Sequence, residues 1–119
     1  MRLLVCGPRD CDKTPEVFFW LNAINAVTDI DVIIHGNAYG PDKISGQWAA
    51  MLGVSTEVYP ADWEKYGRAA GPRRNANMLV EGQPDRVLAF QPRGQETPGT
   101  QNMIKLAKQA GVPVTIVEF

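Results

Sequence analysis

Residues that could bind an anion occur in three glycine-containing stretches of the chain. They are Cys6-Gly7-Pro8-Arg9-Asp10, the run from His35 to Asp42 that contains Gly36 and Gly40, and the run from Gln91 to Thr100. Glycine lets a backbone approach an anion closely, and a helix that follows such a stretch offers N–H donors. None of the three forms a GxGxxG or Walker pattern, so each alone is a weak signal. Together they predict a site for a phosphate-bearing ligand.

A fourth stretch, GRAAGPRRN over residues 67–75, carries two adjacent arginines. Gly71 followed by Pro72 is typical of a helix start, which predicts that Arg73 and Arg74 lie in the first helical turn. The helix macrodipole disfavours cations there, whereas a bound anion would favour them. Because neighbouring residues differ by about 100° around a helix, we expect one arginine at most to face the ligand. The other would pair with a carboxylate.

Four carboxylates near these stretches could act as a general acid or base on a ligand. The leading catalytic candidates are Asp42 and Glu96, and the further candidates are Asp62 and Glu64. Asp42 could instead bind ribose hydroxyls. It also suits the first turn of a helix beginning at Pro41, which is a structural explanation for the same residue.

The longest predicted connection runs from residue 61 to residue 71 and contains Trp63 and Tyr66 among charged residues. Loops of that length are uncommon unless they have a function. Each aromatic ring could stack on a nucleobase, and each could equally fasten the loop to the domain.

Composition excludes several classes of function. The net charge of the 119 residues is −1, so a broad nucleic-acid surface is not expected. No apolar run approaches a membrane span and the N-terminus lacks a signal-peptide pattern, so we expect no membrane partner. One histidine and two unpatterned cysteines predict no metal site and reduced thiols in a cytoplasmic protein, although Mg²⁺ could accompany a phosphate ligand.

Alternating apolar patterns predict the elements that position these residues. Short apolar runs, typical of strands buried on both faces, occupy residues 2–6, 31–35, 55–60, 86–90 and 113–119. Helical repeats separate them, for example Val17-Leu21-Ile24-Val27, Ile44-Trp48-Met51-Leu52 and Met103-Ile104-Ala107-Ala110. Helix starts are predicted at Thr14-Pro15, Gly40-Pro41, Gly71-Pro72 and Thr97-Pro98, and helix ends at Gly53, Gly82 and Gly111. This order predicts one α/β domain over residues 1–119, a Rossmann-like doubly wound five-stranded parallel sheet in the order 3-2-1-4-5 with four flanking helices.

Four segments of the chain resemble the YspA-like (YAcAr) branch of the SLOG superfamily: GPRD, IIHGNAYGPD, PADWEKYGRAAGPRRNANML and the late PGT. The most specific pattern is W-x-x-x-G-x-x-A-G-x-x-R-N, carried by Trp63, Gly67, Ala70, Gly71, Arg74 and Asn75. The resemblance spans nearly the whole chain, and it implies a Rossmann-like fold that binds nucleotides or nucleotide-derived ligands. With the glycine stretches, it gives the predicted ligand-binding residues Gly7, Arg9, Gly36, Gly40, Asp42, Trp63, Tyr66, Arg74, Asn75, Gly99 and Thr100.

The resemblance leaves three functions open. The leading hypothesis is a sensor or carrier that binds a nucleotide-like small molecule, as a homodimer or a higher homo-oligomer. The alternative is a hydrolase of the N-glycosidic or phosphoester bond of a nucleotide. Cytokinin-activating phosphoribohydrolases, which are distant relatives, carry P-G-G-x-G-T-x-x-E, but Met103 stands here at the place of that catalytic glutamate. The second alternative, a DNA-processing accessory protein, rests on analogy with the DprA branch, and the near-neutral charge counts against it.

Overall fold

The computed structural model describes residues 1–95 and 97–119. Its five strands form one parallel sheet in the order β3-β2-β1-β4-β5. The predicted α/β class, strand direction and strand order are therefore confirmed. The strands are β1 (Arg2–Cys6), β2 (Val32–His35), β3 (Ser55–Val58), β4 (Arg86–Gln91) and β5 (Val114–Glu118).

Helices cover both faces of the sheet. They are α1 (Thr14–Val27), α2 (Pro41–Leu52), α3 (Trp63–Tyr66), α4 (Ala70–Gly82) and α5 (Pro98–Gln109). Buried residues of α1 and α2 belong to one core cluster, and those of α4 and α5 belong to the other. These are the four predicted flanking helices, and α3 is a single additional turn between β3 and α4. Among the helices of the described residues, none has both the length and the apolarity to cross a membrane.

The central strand shows why its sequence is a continuous apolar run. Leu3 and Val5 belong to the core on the α1–α2 side, while Leu4 and Cys6 belong to the core on the α4–α5 side. Successive side chains of a strand point to opposite faces, so a strand covered on both faces needs apolar residues at every position. The prediction of burial on both faces is wrong for β3, whose residues are mostly exposed, because an edge strand is covered less completely than a central one.

The predicted helix faces are correct in the middle of the helices and wrong at their ends. Val27 is 87% exposed and Met51 is 73% exposed; they lie in the last turns of α1 and α2, beyond the residues that pack on the sheet. Gly53 adopts the predicted left-handed conformation after α2, with φ 72°. At the end of α4, Gln83 takes that conformation with φ 45°, and the predicted Gly82 is instead the last helical residue.

The predicted helix start at Gly71-Pro72 is wrong. α4 begins at Ala70, and a 3₁₀ turn over Gly67–Ala69 joins it directly to α3. The predicted long loop is therefore largely helical. Pro72 is the third residue of α4, where its missing N–H still costs no intrahelical bond. Arg73 and Arg74 are the fourth and fifth residues, so they lie past the position at which the helix dipole would disfavour them most.

Candidate functional site

A cleft of about 1060 Å³ lies beyond the carboxyl end of β1, which pairs with β4 at the centre of the sheet; the chain continues from β1 toward β2 on one side and from β4 toward β5 on the other. In doubly wound sheets this switch point, at the carboxyl ends of the strands, is the usual place for a ligand. The volume is sufficient for a nucleotide-sized molecule. The lining residues come from the β1–α1 and β2–α2 loops, from the α3–α4 region and from the start of α5.

The loop between β2 and α2 is fastened to the carboxylate of Asp42. Oδ2 of Asp42 accepts hydrogen bonds from Gly36 N at 3.1 Å and from Ala38 N at 3.4 Å. The side chain is buried, with 4% of the residue exposed, although the residue lines the cleft. Burial raises the pKa of Asp42 to about 6, against the opposing effects of Arg74 and the backbone donors. Asp42 therefore titrates near neutrality.

Arg74 reaches the same loop from α4. Its Nη1 donates to Gly36 O at 2.6 Å, and its Nε donates to Asn75 Oδ1 at 3.0 Å. A Cβ on residue 36 would overlap the Arg74 guanidinium, so glycine is required for this contact. We call the Gly36–Asp42 loop together with Arg74 the inner wall of the cleft.

Asn75 joins α4 to the start of α5. Its Nδ2 donates to Gly99 O at 3.2 Å and to Asn102 Oδ1 at 2.9 Å. Asn75 is 5% exposed, and burial of an amide requires such partners. The bonds hold the first turn of α5 against α4 and thereby fix one end of the cleft.

The N-terminus of α5 opens into the cleft. In the described part of the chain, its first intrahelical bond runs from Gln101 N to Thr97 O, so helix geometry leaves the N–H groups of Gly99 and Thr100 without an intrahelical acceptor. Thr97 is the N-cap, but its side chain makes no capping bond. Its buried Oγ1 has no hydrogen-bond partner among the described residues. Within the described residues no side chain caps this electropositive helix end, which is called uncapped in that sense.

The opposite side of the cleft, Trp63–Ala69, is its outer wall. None of these residues is buried; Trp63 is 60% exposed, and both Trp63 and Arg68 line the cleft. Trp63 approaches Gly71 so closely that a Cβ there would lie 3.3 Å from the indole. An aromatic ring and a guanidinium of the outer wall therefore line the same cleft as the start of α5.

The two arginines of the RR pair do point in different directions. Arg74 lines the cleft, whereas the guanidinium of Arg73 lies 4.4 Å from the ring centre of Tyr66. The ion pairs of the described residues give Arg73 no carboxylate partner, so the expected pairing is not seen among them, and Arg73 makes a cation–π contact with Tyr66 instead.

The structure places most of the predicted site residues in the cleft. The lining includes Gly7, Arg9, Asp42, Trp63, Arg74, Asn75, Gly99 and Thr100. The lining does not include Gly36, Gly40 or Tyr66. The Tyr66 ring contacts Arg73 and Lys65. Asp62 and Glu64 are outside the lining; Asp62 caps α3 by accepting from Lys65 N. The catalytic candidate Glu96 lies outside the described residues.

Two cleft residues were missed by sequence reasoning. Arg68 was not predicted because its segment was interpreted as a loop. Its positive charge, four residues before Pro72, could have indicated a further anion-binding side chain. Asn102 became recognisable only through its bond to Asn75. Met103, at the position of the phosphoribohydrolase glutamate, is fully buried in the core on the α4–α5 side and does not face the cleft.

A doubly wound α/β sheet with a cleft at its switch point defines the class of Rossmann-like α/β domains. Within that class, the chain belongs to the YspA, cpYpsA-related SLOG family, whose model matches residues 1–66. The chain is also similar to "Gene 61 protein" of Mycobacterium phage D29, with 40% identity over 88 residues, covering 70% of this chain and 68% of the relative. The family suggests a role connected with nucleotide-related ligands.

Proposed function

We propose that the chain binds a nucleotide or nucleotide-derived ligand in the cleft and acts as a sensor or carrier of it. One observation carries the proposal: the uncapped N-terminus of α5 opens into a cleft lined by Arg9, Arg68 and Arg74. A helix N-terminus with nearby guanidinium groups favours phosphate oxygens, since both supply charge-assisted donors.

Two further lining residues offer interactions for the base and the ribose of such a ligand. The Trp63 indole offers a surface for stacking a base. Both backbone hydrogen bonds to Asp42 fall on Oδ2, so its other oxygen can accept from ribose hydroxyls. In this arrangement the phosphates lie at Gly99 and Thr100, and the base lies at the outer wall.

Isothermal titration calorimetry with AMP, ATP, NAD and ADP-ribose tests the proposal. At least one should bind at micromolar concentrations, and Arg9→Ala should weaken it by about 10-fold or more because a charge-assisted bond is lost. Arg86→Ala is the matched control, since Arg86 begins β4 at the opposite edge of the sheet and should leave the affinity unchanged. Equal loss in both variants, or no binding of any of the four, would refute the proposal.

Asp42 favours a second candidate function, hydrolysis of the bound nucleotide. A buried carboxyl group in a cleft whose pKa is raised to about 6 can exchange protons near neutral pH. Incubation with the same four nucleotides, followed by chromatography for free base and free phosphate, decides between binding and turnover. A hydrolase predicts product release that Asp42→Asn abolishes, whereas a sensor or carrier predicts full recovery of the nucleotide.

A further inference from the structure

A second depression, of about 380 Å³, lies between α2 and β3 and shares no lining residue with the cleft. Its floor is the end of β2 at His35, and its sides carry Asn37, Lys43, Gln47 and Thr56. We call it the α2 groove. The groups named here can all donate hydrogen bonds, and the described lining contains no carboxylate.

His35 is the most constrained of these groups. It is 5% exposed, and its Nδ1 accepts from Asn37 N at 3.0 Å. An accepting Nδ1 places the proton of a neutral imidazole on Nε2. Burial and the charges of Arg74 and Lys43 lower the pKa of His35, which keeps the ring neutral at pH 7.

The Nε2–H edge of His35 is directed toward Gly46. A Cβ at residue 46 would lie 2.9 Å from Nε2, so only glycine leaves this edge room inside α2. The hydrogen bonds of the described residues involve the imidazole through Nδ1 alone. His35 Nε2–H thus makes no hydrogen bond to the described residues, and the side chain lines the α2 groove, so this donor is available to an acceptor bound there.

Lys43 supplies the positive charge of the groove. Its Nζ lies 4.4 Å from the ring centre of Tyr39, and the ion pairs of the described residues do not include it. An ammonium group beside an N–H donor and two side-chain amides complements an oxyanion with several acceptor oxygens.

We propose that the α2 groove binds a small oxyanion of the phosphate class, held by His35 Nε2–H and Lys43. This site is separate from the nucleotide cleft. The two are connected by one loop: the N–H groups of Gly36 and Ala38 bind Asp42 in the cleft, while the intervening Asn37 N–H binds His35. An anion that repositions His35 therefore acts on the inner wall of the cleft through a shared backbone.

His35 is the sole histidine of the chain, so its imidazole resonances in a nitrogen-15 NMR spectrum identify themselves. Titration with inorganic phosphate at pH 7 and constant ionic strength should shift the Nε2 signal saturably. Lys43→Gln should weaken this titration about 10-fold or more, and Gly46→Ala, which displaces the imidazole edge, should weaken it in the same way. Lys105→Gln, at an exposed position of α5, should titrate like the wild type.

Two results would overturn the proposal: an Nε2 signal that responds equally to chloride, or a phosphate midpoint unaffected by Lys43→Gln, which would indicate an adventitious ion only. The Trp63 indole signal reports on the cleft in the same spectra. A Trp63 signal that ignores nucleotides while Nε2 responds to phosphate would refute the proposed function alone. A Trp63 signal that responds to nucleotides while Nε2 ignores phosphate would refute only the proposed anion site in the α2 groove.

Discussion

The two walls of the cleft are built in opposite ways. In the inner wall, Asp42 is 4% exposed and binds two backbone N–H groups, and Arg74 spans from α4 to Gly36 O. In the outer wall, no residue from Trp63 to Ala69 is buried, and the hydrogen bonds that fold it are local. The inner wall is held by hydrogen bonds between elements that are far apart in the sequence, whereas the outer wall contacts the adjoining α4 through the Trp63 and Tyr66 rings.

This difference matches the kinds of interaction that each wall offers a ligand. Hydrogen bonds to ribose and phosphate are directional, so their donors and acceptors must be held in place before binding. Stacking on an indole depends on contact area and tolerates small displacements. A segment with little buried surface also opens at low free-energy cost, so ligand entry past the outer wall would leave the inner wall undisturbed.

Two glycines with similar backbone angles give the largest expected contrast. Gly40 in the inner wall has φ 83° and ψ −143°, and Gly67 in the outer wall has φ 53° and ψ −130°. A Cβ on Gly40 would lie 2.5 Å from Pro8 O and 3.0 Å from Cys11 O, whereas none of the described atoms lies within 4 Å of one on Gly67. We expect Gly40→Ala to cost roughly 3–5 kcal/mol and Gly67→Ala about 1–2 kcal/mol of unfolding free energy. Urea denaturation measures both, and equal losses would contradict the comparison.

The next effect concerns pH. Burial raises the pKa of Asp42 from its ordinary value of 3.8 to about 6 in the folded protein, so the folded state binds the proton more tightly. The stability that this group contributes is fully present only below the unfolded pKa and is lost as the pH rises through about 6, by about 3 kcal/mol in total.

Urea unfolding at pH 4 and pH 7 checks this expectation. The stability difference between wild type and Asp42→Asn should change by about 2.4 kcal/mol between the two pH values, because the unfolded carboxyl group is already partly ionised at pH 4. Ser45→Ala, which removes the hydroxyl donating to Asp42 O at 2.6 Å without removing a titrating group, should keep the wild-type pH dependence. A pH-independent difference for Asp42→Asn would mean that the carboxylate is solvated.

A double-mutant cycle examines the contact between Arg74 and Gly36. Arg74→Ala and Gly36→Ala should each destabilise the unliganded protein by about 1–3 kcal/mol, because each removes the bond to Gly36 O. Combined, they should cost little more than either alone, since without the guanidinium there is room for a Cβ. Additive losses would show that the guanidinium and residue 36 act independently.

The smallest effect on stability is expected at the outer wall. Trp63→Ala should change the unfolding free energy by less than about 0.5 kcal/mol, because the side chain is mostly exposed. Its effect on affinity for a purine nucleotide should be about 5-fold to 100-fold, from the loss of base stacking. Trp63→Tyr keeps an aromatic ring and should retain most of the affinity. Calorimetric titration and thermal melting together separate these effects, and a large drop in melting temperature would make Trp63 a structural residue.

The sheet could be predicted from sequence because a buried parallel strand has a local signature. Leu3, Leu4 and Val5 are apolar at consecutive positions, and only a strand covered on both faces requires that. The alternation with helices then restricts the connections to right-handed crossovers, and the order 3-2-1-4-5 followed from taking the domain to be Rossmann-like. The same reasoning was misled at Gly71-Pro72, because proline is accepted throughout the first helical turn and does not distinguish its first position from its third.

Side-chain partners were harder to predict than backbone positions. Sequence reasoning brought Arg74, Asn75 and Gly99 to one site, but their hydrogen bonds join residues up to 38 positions apart. The Arg74 guanidinium leaves no room for a Cβ at position 36, and this requirement for glycine is visible only in three-dimensional distances. The stacking of Arg73 on Tyr66 depends on the turn geometry of the α3–α4 region, which no local pattern specified.

The central place of β1 has a consequence for the order in which the protein is made. During synthesis β1, β2 and β3 emerge first and form one side of the sheet together with the Gly36–Asp42 loop. Arg74 and the start of α5 leave the ribosome only later, and β4 must then pair with the exposed flank of β1. Under the proposed function, a ligand that contacts both sides of the cleft binds only a chain that has been made through the start of α5, so it would protect such chains from proteolysis and leave shorter nascent ones unprotected.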